Sequence, residues 1–108
     1  MTTPLDPIEV RHDAQEQRFF LRLDGYEACL MYRRQGQEAD FYHTYVPEVF
    51  RGRGVADRLC QAAFEHARAH GWTVSPSCSY ITDAYLRRHP EYEAIVKRGP
   101  TSRPRVSG

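Results

Sequence analysis

The chain has 108 residues, of which 41% are apolar and 27% charged, and its formal net charge is +1. That length supports one domain around one modest core, and so balanced a charge argues against nucleic acid as the main partner. No apolar run approaches a membrane-spanning length, and Met1–Asp6 lacks the basic and apolar regions of a secretory leader, so the expected location is cytoplasmic.

In chain order, residues 1–7 carry Pro4 and Pro7 and read as a flexible arm before a domain spanning 8–96. Ile8–His12 alternates apolar and polar residues, a strand signal. Asp13–Gln17 is a short polar loop. Arg18–Leu23 reads as a second strand, closed by the hairpin dipeptide Asp24-Gly25. Tyr26–Arg33 keeps period two, Gln35-Gly36-Gln37 turns the chain, and Ala39–Val46 reads as a fourth strand. Four strands joined by tight loops predict an antiparallel meander.

The period then changes. From Gly54 to His70 the apolar residues Val55, Ala56, Leu59, Cys60, Ala63, Phe64 and Ala67 recur at spacings of three and four, one stripe of an amphipathic helix. Gly71 suits the helix C-terminus. Trp72–Ser75 reads as a short strand before Pro76, Ile81–Arg88 as a second helix ended by Pro90, and Glu91–Val96 as a further helical turn. Residues 97–108 read as a flexible tail. The long helix serves as a right-handed crossover, which makes strands four and five parallel. Phe19, Phe20, Phe41, Tyr42 and Phe64 are the expected aromatic core.

The chemistry is expected at the approach to the long helix, Phe50-Arg51-Gly52-Arg53-Gly54-Val55-Ala56. Glycine lets the backbone take positive φ and approach a ligand closely. Residues 51–54 contain no Ser, Thr, Asp or Asn to cap the helix, so its first amides are expected to stand open at the positive end of the helix dipole. Such an end binds anions, and Arg51 and Arg53 add charge. A phosphate or pyrophosphate is the natural guest. A P-loop is excluded because no Gly-Lys-Ser/Thr follows, and a Rossmann turn because Asp57 stands where the third glycine belongs.

Arg51, Gly54 and Ala56 spell Arg-x-x-Gly-x-Ala, which resembles the acyl-CoA motif of the GNAT superfamily of N-acetyltransferases. The stretches His43–Ala56 and Pro76–Tyr80 are similar to its minimal branch of about a hundred residues, and the likeness covers about residues 8–95. The resemblance implies an α/β (α+β) fold with a mixed, mostly antiparallel sheet flanked by helices. It implies acetyl-CoA or CoA as cofactor, with the pyrophosphate on the amides of Gly52, Arg53, Gly54, Val55 and Ala56 beside Arg51. Tyr45 and Val46, at the end of strand four, would pair with the pantetheine arm. The implied activity is transfer of acetyl from acetyl-CoA to an amine of a small molecule, peptide or protein.

Three residues are candidate catalytic groups. Cys78 follows strand five and offers a thiolate that takes the acetyl group transiently or deprotonates the acceptor. His43, on strand four, is a candidate general base. The resemblance also implies a tyrosine on the helix after strand five as acid toward the departing thiolate, for which Tyr85 is the candidate, with Tyr80 a second phenol nearby. Each has a structural reading as well: buried thiol, strand histidine, core phenol. Cys29, Cys60 and Cys78 form no Cys-x-x-Cys pair and fit reduced thiols. His66 and His70, four apart on the long helix, have a metal-compatible spacing but no evident third ligand, and are read as a solvated helix face.

The loop of about five residues after strand one leaves no room for the two helices that GNAT enzymes place there. The acceptor side is therefore expected to be open, suited to a bulky acceptor, a protein surface or a homodimer partner. An open site orients a small amine poorly. The alternative is a CoA-binding module with little or no catalysis, acting as a sensor or partner subunit.

Overall fold

The computed structural model describes residues 9–97. The expected arm, 1–7, lies outside the described residues, as does the expected tail beyond Lys97. Five strands, β1 (Arg11–Asp13), β2 (Arg18–Leu23), β3 (Tyr26–Gln35), β4 (Glu38–Tyr45) and β5 (Thr73–Ser75), form one sheet in the order β1-β2-β3-β4-β5. Helix α1 (Val55–Ala69) connects β4 to β5, and those two strands are parallel; every other neighbouring pair is antiparallel. The mixed, mostly antiparallel sheet is the one expected. The first strand starts later than expected, at Arg11, and β5 starts at Thr73.

Hairpin geometry follows from the turn residues. Asp24 and Gly25 both hold positive φ, 56° and 83°, which matches the right-handed twist of β2 and β3. Between β1 and β2 the chain has only the turn Ala14–Gln17, and no helix intervenes.

Alternation sorts the sheet into two faces. Phe19, Leu21, Ala28, Leu30, Tyr32, Ala39, Phe41 and Val74 are buried on one, against Val55, Leu59, Cys60, Ala63, Phe64 and Ala67 of α1. Truncating one of these, as in Leu59→Ala, typically costs about 2–5 kcal/mol. Among the described residues no helix covers the other face. There the alternation corrects two expected core residues: Phe20 and Tyr42 are only half-buried. Arginines blanket them instead, Arg18 and Arg22 lying 4.5 and 5.2 Å over the Phe20 ring and Arg33 4.2 Å over Tyr42.

One irregularity matters for function. Met31 pairs with His43 but Tyr32 pairs with Phe41, so Tyr42 is an extra residue, a β-bulge in β4. Before the bulge Ala39 and Phe41 face α1; after it Thr44, opposite buried Leu30, takes that face. The parallel pairing of β4 with β5 covers only Glu38–Asp40 against Thr73–Ser75. From Phe41 to Tyr45, β4 runs on with no strand on that edge among the described residues.

The expected second helix is less regular than a single α-helix, and its first part is wound more widely. It consists of a π-helical turn, Ile81–Tyr85, running into α2 (Leu86–Arg88), and a 3₁₀ segment, Pro90–Ile95, follows. Among the described residues no helix is long and apolar enough to cross a membrane.

Candidate active site

A cleft of about 510 Å³ opens where β4 loses its partner. Its walls are the end of β4 (Thr44, Val46, Pro47), the turn Phe50–Gly54, the first turn of α1, and Tyr80 and Arg88 from the far side.

The turn is built as its glycines require. Glu48–Phe50 forms a 3₁₀ turn, after which the Arg51 amide donates to the Glu48 carbonyl (2.9 Å) and the Arg53 amide to Phe50 (3.1 Å). Gly52 and Gly54 hold φ of 79° and 73°, the left-handed region that disfavours a side chain. Gly54 is the N-cap of α1 and no side chain caps the helix. The first turn, Val55, Ala56 and Asp57, lines the cleft with its amides at the positive end of the dipole. Open helix amides, two glycines with no neighbour crowding their Cβ positions, and the guanidinium group of Arg51 suit a phosphate-bearing ligand. The unpaired edge of β4 suits an extended, amide-containing arm.

Arg51, Gly52, Gly54, Val55, Ala56 and Val46 line the cleft. Arg53 turns away, its guanidinium 5.7 Å over the Phe50 ring. The Tyr45 side chain lies on the uncovered face, 53% exposed, so only its backbone belongs to the β4 edge. His43 is exposed on that same face, because the bulge at Tyr42 gives the α1 side to Thr44.

Cys78 bridges the gap between β4 and the end of β5. Its amide donates to the Phe41 carbonyl (3.1 Å), and its thiol donates to Thr44 Oγ1 (3.4 Å), a cleft residue. The other two thiols lie elsewhere. Cys60 is fully buried, which pushes its thiol up, and Cys29 is on the uncovered face, where burial also raises it.

Tyr85 does not reach the cleft. It is 1% exposed, stacked on Phe64, Tyr92 and His89, and burial raises its phenol further from ionisation. Its hydroxyl lacks a well-formed hydrogen bond. The π-helical turn adds a residue to the local repeat and so changes which side chain faces the core. Tyr80 is the phenol at the cleft. Its hydroxyl donates to Asp57 Oδ1, and burial together with that bond pushes it up to about 12. Arg88 Nη2 donates to the same Oδ1 at 2.5 Å. Asp57 and Arg88 are cleft residues to which the sequence assigns no role, and Thr44, Pro47 and Phe50 lie within the stretch it singles out without being given one. Asp57 reads as helix surface, and nothing local marks Arg88.

A second, separate hollow gathers His12, His66 and His70. His12 stacks on Phe19 (4.2 Å between centroids) and meets His66 edge-on (4.4 Å), and His66 stacks on His70 (4.0 Å). His66 also meets Trp72 edge-on and is half-buried rather than solvated, a correction to its expected place on an open helix face. Burial, then His12 and His70, lower its pKa to about 4.

Comparison with known proteins places this geometry. The sequence model of the family described as GCN5-related N-acetyl-transferase matches residues 18–95. Protein NATD1 of Mus musculus is 37% identical over 97 residues, 87% of each chain, and Protein NATD1 of Homo sapiens is 36% identical over 87% of this chain and 85% of its own. A GCN5-like protein of Staphylococcus aureus solved by NMR superposes with a TM-score of 0.66 at 26% identity, covering 85% of this chain and 90% of its own. The cleft, the glycine turn and the broken β4–β5 pairing are thus those of a chain that belongs to the GCN5-related N-acetyltransferase family, and acetyl transfer is the chemistry this membership assigns to it.

Proposed function

We propose that the protein transfers acetyl from acetyl-CoA to an amine of a small molecule, peptide or protein. The observation that carries this reading is the uncapped start of α1, with Gly52 and Gly54 at positive φ, facing a cleft beside an unpaired strand edge. The amides of Gly52, Gly54, Val55 and Ala56 hold the pyrophosphate, with Arg51 at the rim, while the expected Arg53 amide is already bonded to the Phe50 carbonyl. The backbone of Tyr45 and Val46 pairs with the pantetheine arm, and an amide there polarises the thioester carbonyl. When bound, the cofactor supplies the activated acetyl group.

Cys78 is the nucleophile that this reading favours, because its thiol meets Thr44 at the cleft. Its sulfur bonds to the acetyl carbon as the carbon–sulfur bond to CoA breaks, and its proton ends on the CoA thiol. The acceptor amine then displaces Cys78 as a thiolate and releases its proton to water, because His43 lies on the uncovered face, across the sheet from the Cys78 thiol.

A second reading, a CoA-binding module without turnover, is favoured by one observation. Neither phenol is free to act as acid, Tyr85 being buried and Tyr80 committed to Asp57.

Calorimetric titration with acetyl-CoA and CoA, followed by thiol release against a panel of amines, tests both. Micromolar binding with turnover supports the transferase, and binding without turnover supports the module. Absence of binding at millimolar ligand rejects both. Cys78→Ala is expected to lower the transfer rate about 100-fold or more while cofactor affinity stays within about twofold. Unchanged turnover would leave Cys78 a packing residue.

A further inference from the structure

Asp57 is the one carboxylate among the residues lining the cleft. It stands in the first turn of α1, the same turn whose amides face the proposed phosphate site. Without ligand, an acid there favours the helix through its dipole; with ligand, the same charge repels phosphate oxygens drawn to those amides. The structure places two partners on it. Tyr80, from the segment after β5, and Arg88, from α2, both donate to Asp57 Oδ1, and Arg88 Nη2 also lies 3.2 Å from the Tyr80 oxygen. The Arg88 and Asp57 side chains are 51% and 37% exposed, so the pair adds little to stability as a surface ion pair. Its place at the mouth of an anion site gives it a different consequence.

We propose that Tyr80 and Arg88 form a charge clamp that neutralises Asp57 and turns its carboxylate from the phosphate site. Arg88 is then a positioning residue that governs cofactor affinity through Asp57. The inference rests on the acetyl-CoA reading above.

Titration of the full chain and its variants with CoA, at low and at high salt, tests it. Arg88→Gln uncovers the Asp57 charge and is expected to weaken binding about tenfold, ~1.4 kcal/mol. The loss should shrink as salt screens the repulsion. Arg88→Lys keeps the charge and should stay within about threefold of the native chain. The decisive variant is Asp57→Asn combined with Arg88→Gln. With no carboxylate left to neutralise, its affinity should return to within about twofold of native, which a structural role for Arg88 would not produce. Thermal melts of each variant confirm that it is folded. A double variant as weak as Arg88→Gln alone would make Arg88 a direct phosphate ligand and overturn the clamp. Native affinity in Arg88→Gln would overturn it as well. A native chain that does not bind CoA at all would reject the cofactor reading, and the clamp with it, by an outcome distinct from either.

Discussion

The two ends of α1 are finished differently. At the C-terminus every local device is used. Gly71 takes φ of 73°, its amide donates to Arg68 and the Trp72 amide to Ala67 (2.8 Å), and the Gln37 side chain donates to the His70 and Gly71 carbonyls at 3.1 and 3.4 Å. That is a Schellman closure with an added side-chain cap. At the N-terminus Gly54 holds the same left-handed conformation, but no side chain caps the helix and a cleft lies in front of it. One helix thus carries a closed end that serves stability and an open end to which the proposed function assigns binding. Leaving first-turn amides without a cap forgoes about 1 kcal/mol of helix stability, and it leaves those amides free for the anion that the proposed function places there.

The sharpest way to break this contrast is to place a charge at the open end. Gly54→Glu sets a carboxylate at the N-cap and strains a backbone held at φ 73°. CoA affinity is expected to fall at least about 100-fold, ~2.7 kcal/mol, while circular dichroism still reports a folded chain. Retained affinity would remove the turn from the site.

The matching change at the closed end is Gly71→Ala. A Cβ there would lie 3.4 Å from Gln37 Nε2 on a backbone at positive φ. A loss of about 1–2 kcal/mol in urea unfolding is expected, with CoA affinity unchanged. If instead affinity dropped with stability, the two ends would not be independent.

A smaller effect tests the histidines near the closed end. The folded-state pKa of His66, about 4, lies below its ordinary value of 6.5. The folded state therefore resists protonation. Above pH 6.5 this makes no difference; as pH falls from 6.5 toward 4 the unfolded chain takes up the proton first and stability declines. For a half-buried ring partly screened by solvent the decline is about 1 kcal/mol. Melting temperatures between pH 7 and pH 4 should fall less steeply in His66→Gln than in the native chain. Parallel curves would assign the acid sensitivity to other groups.

These contrasts also separate what was legible in the sequence from what was not. The alternation of β2 and β3, the stripe of α1 and the uncapped glycine turn are local patterns, and all three appear where their residues predict. His43, Tyr85 and Phe20 show the limits. A bulge inserts one residue into β4 without a compositional mark, so residues beyond Tyr42 exchange faces. A π-helical turn has no sequence signature, yet it accompanies a Tyr85 buried in the core. Phe20 is as apolar as Phe19 but stands on the face where arginines, not a helix, cover it. The Asp57–Tyr80–Arg88 contacts join three segments that touch only after folding, and the meeting of His12 with His66 is equally tertiary.

The bulge at Tyr42 has a further consequence for how variation in this strand should be interpreted. A strand is read in a frame of two, and Tyr42 acts on it as a single-residue frameshift. Upstream, odd-numbered positions such as Ala39 and Phe41 belong to the interior; downstream, that side passes to the even-numbered Thr44 and Val46. A deletion of Tyr42 would remove the bulge yet leave His43 and Tyr45 on the uncovered face and Thr44 beside Cys78. A strand straightened with Tyr42 kept in the ladder would instead point His43 and Tyr45 toward the cleft and Thr44 away from it, so one residue outside the site decides what lines it.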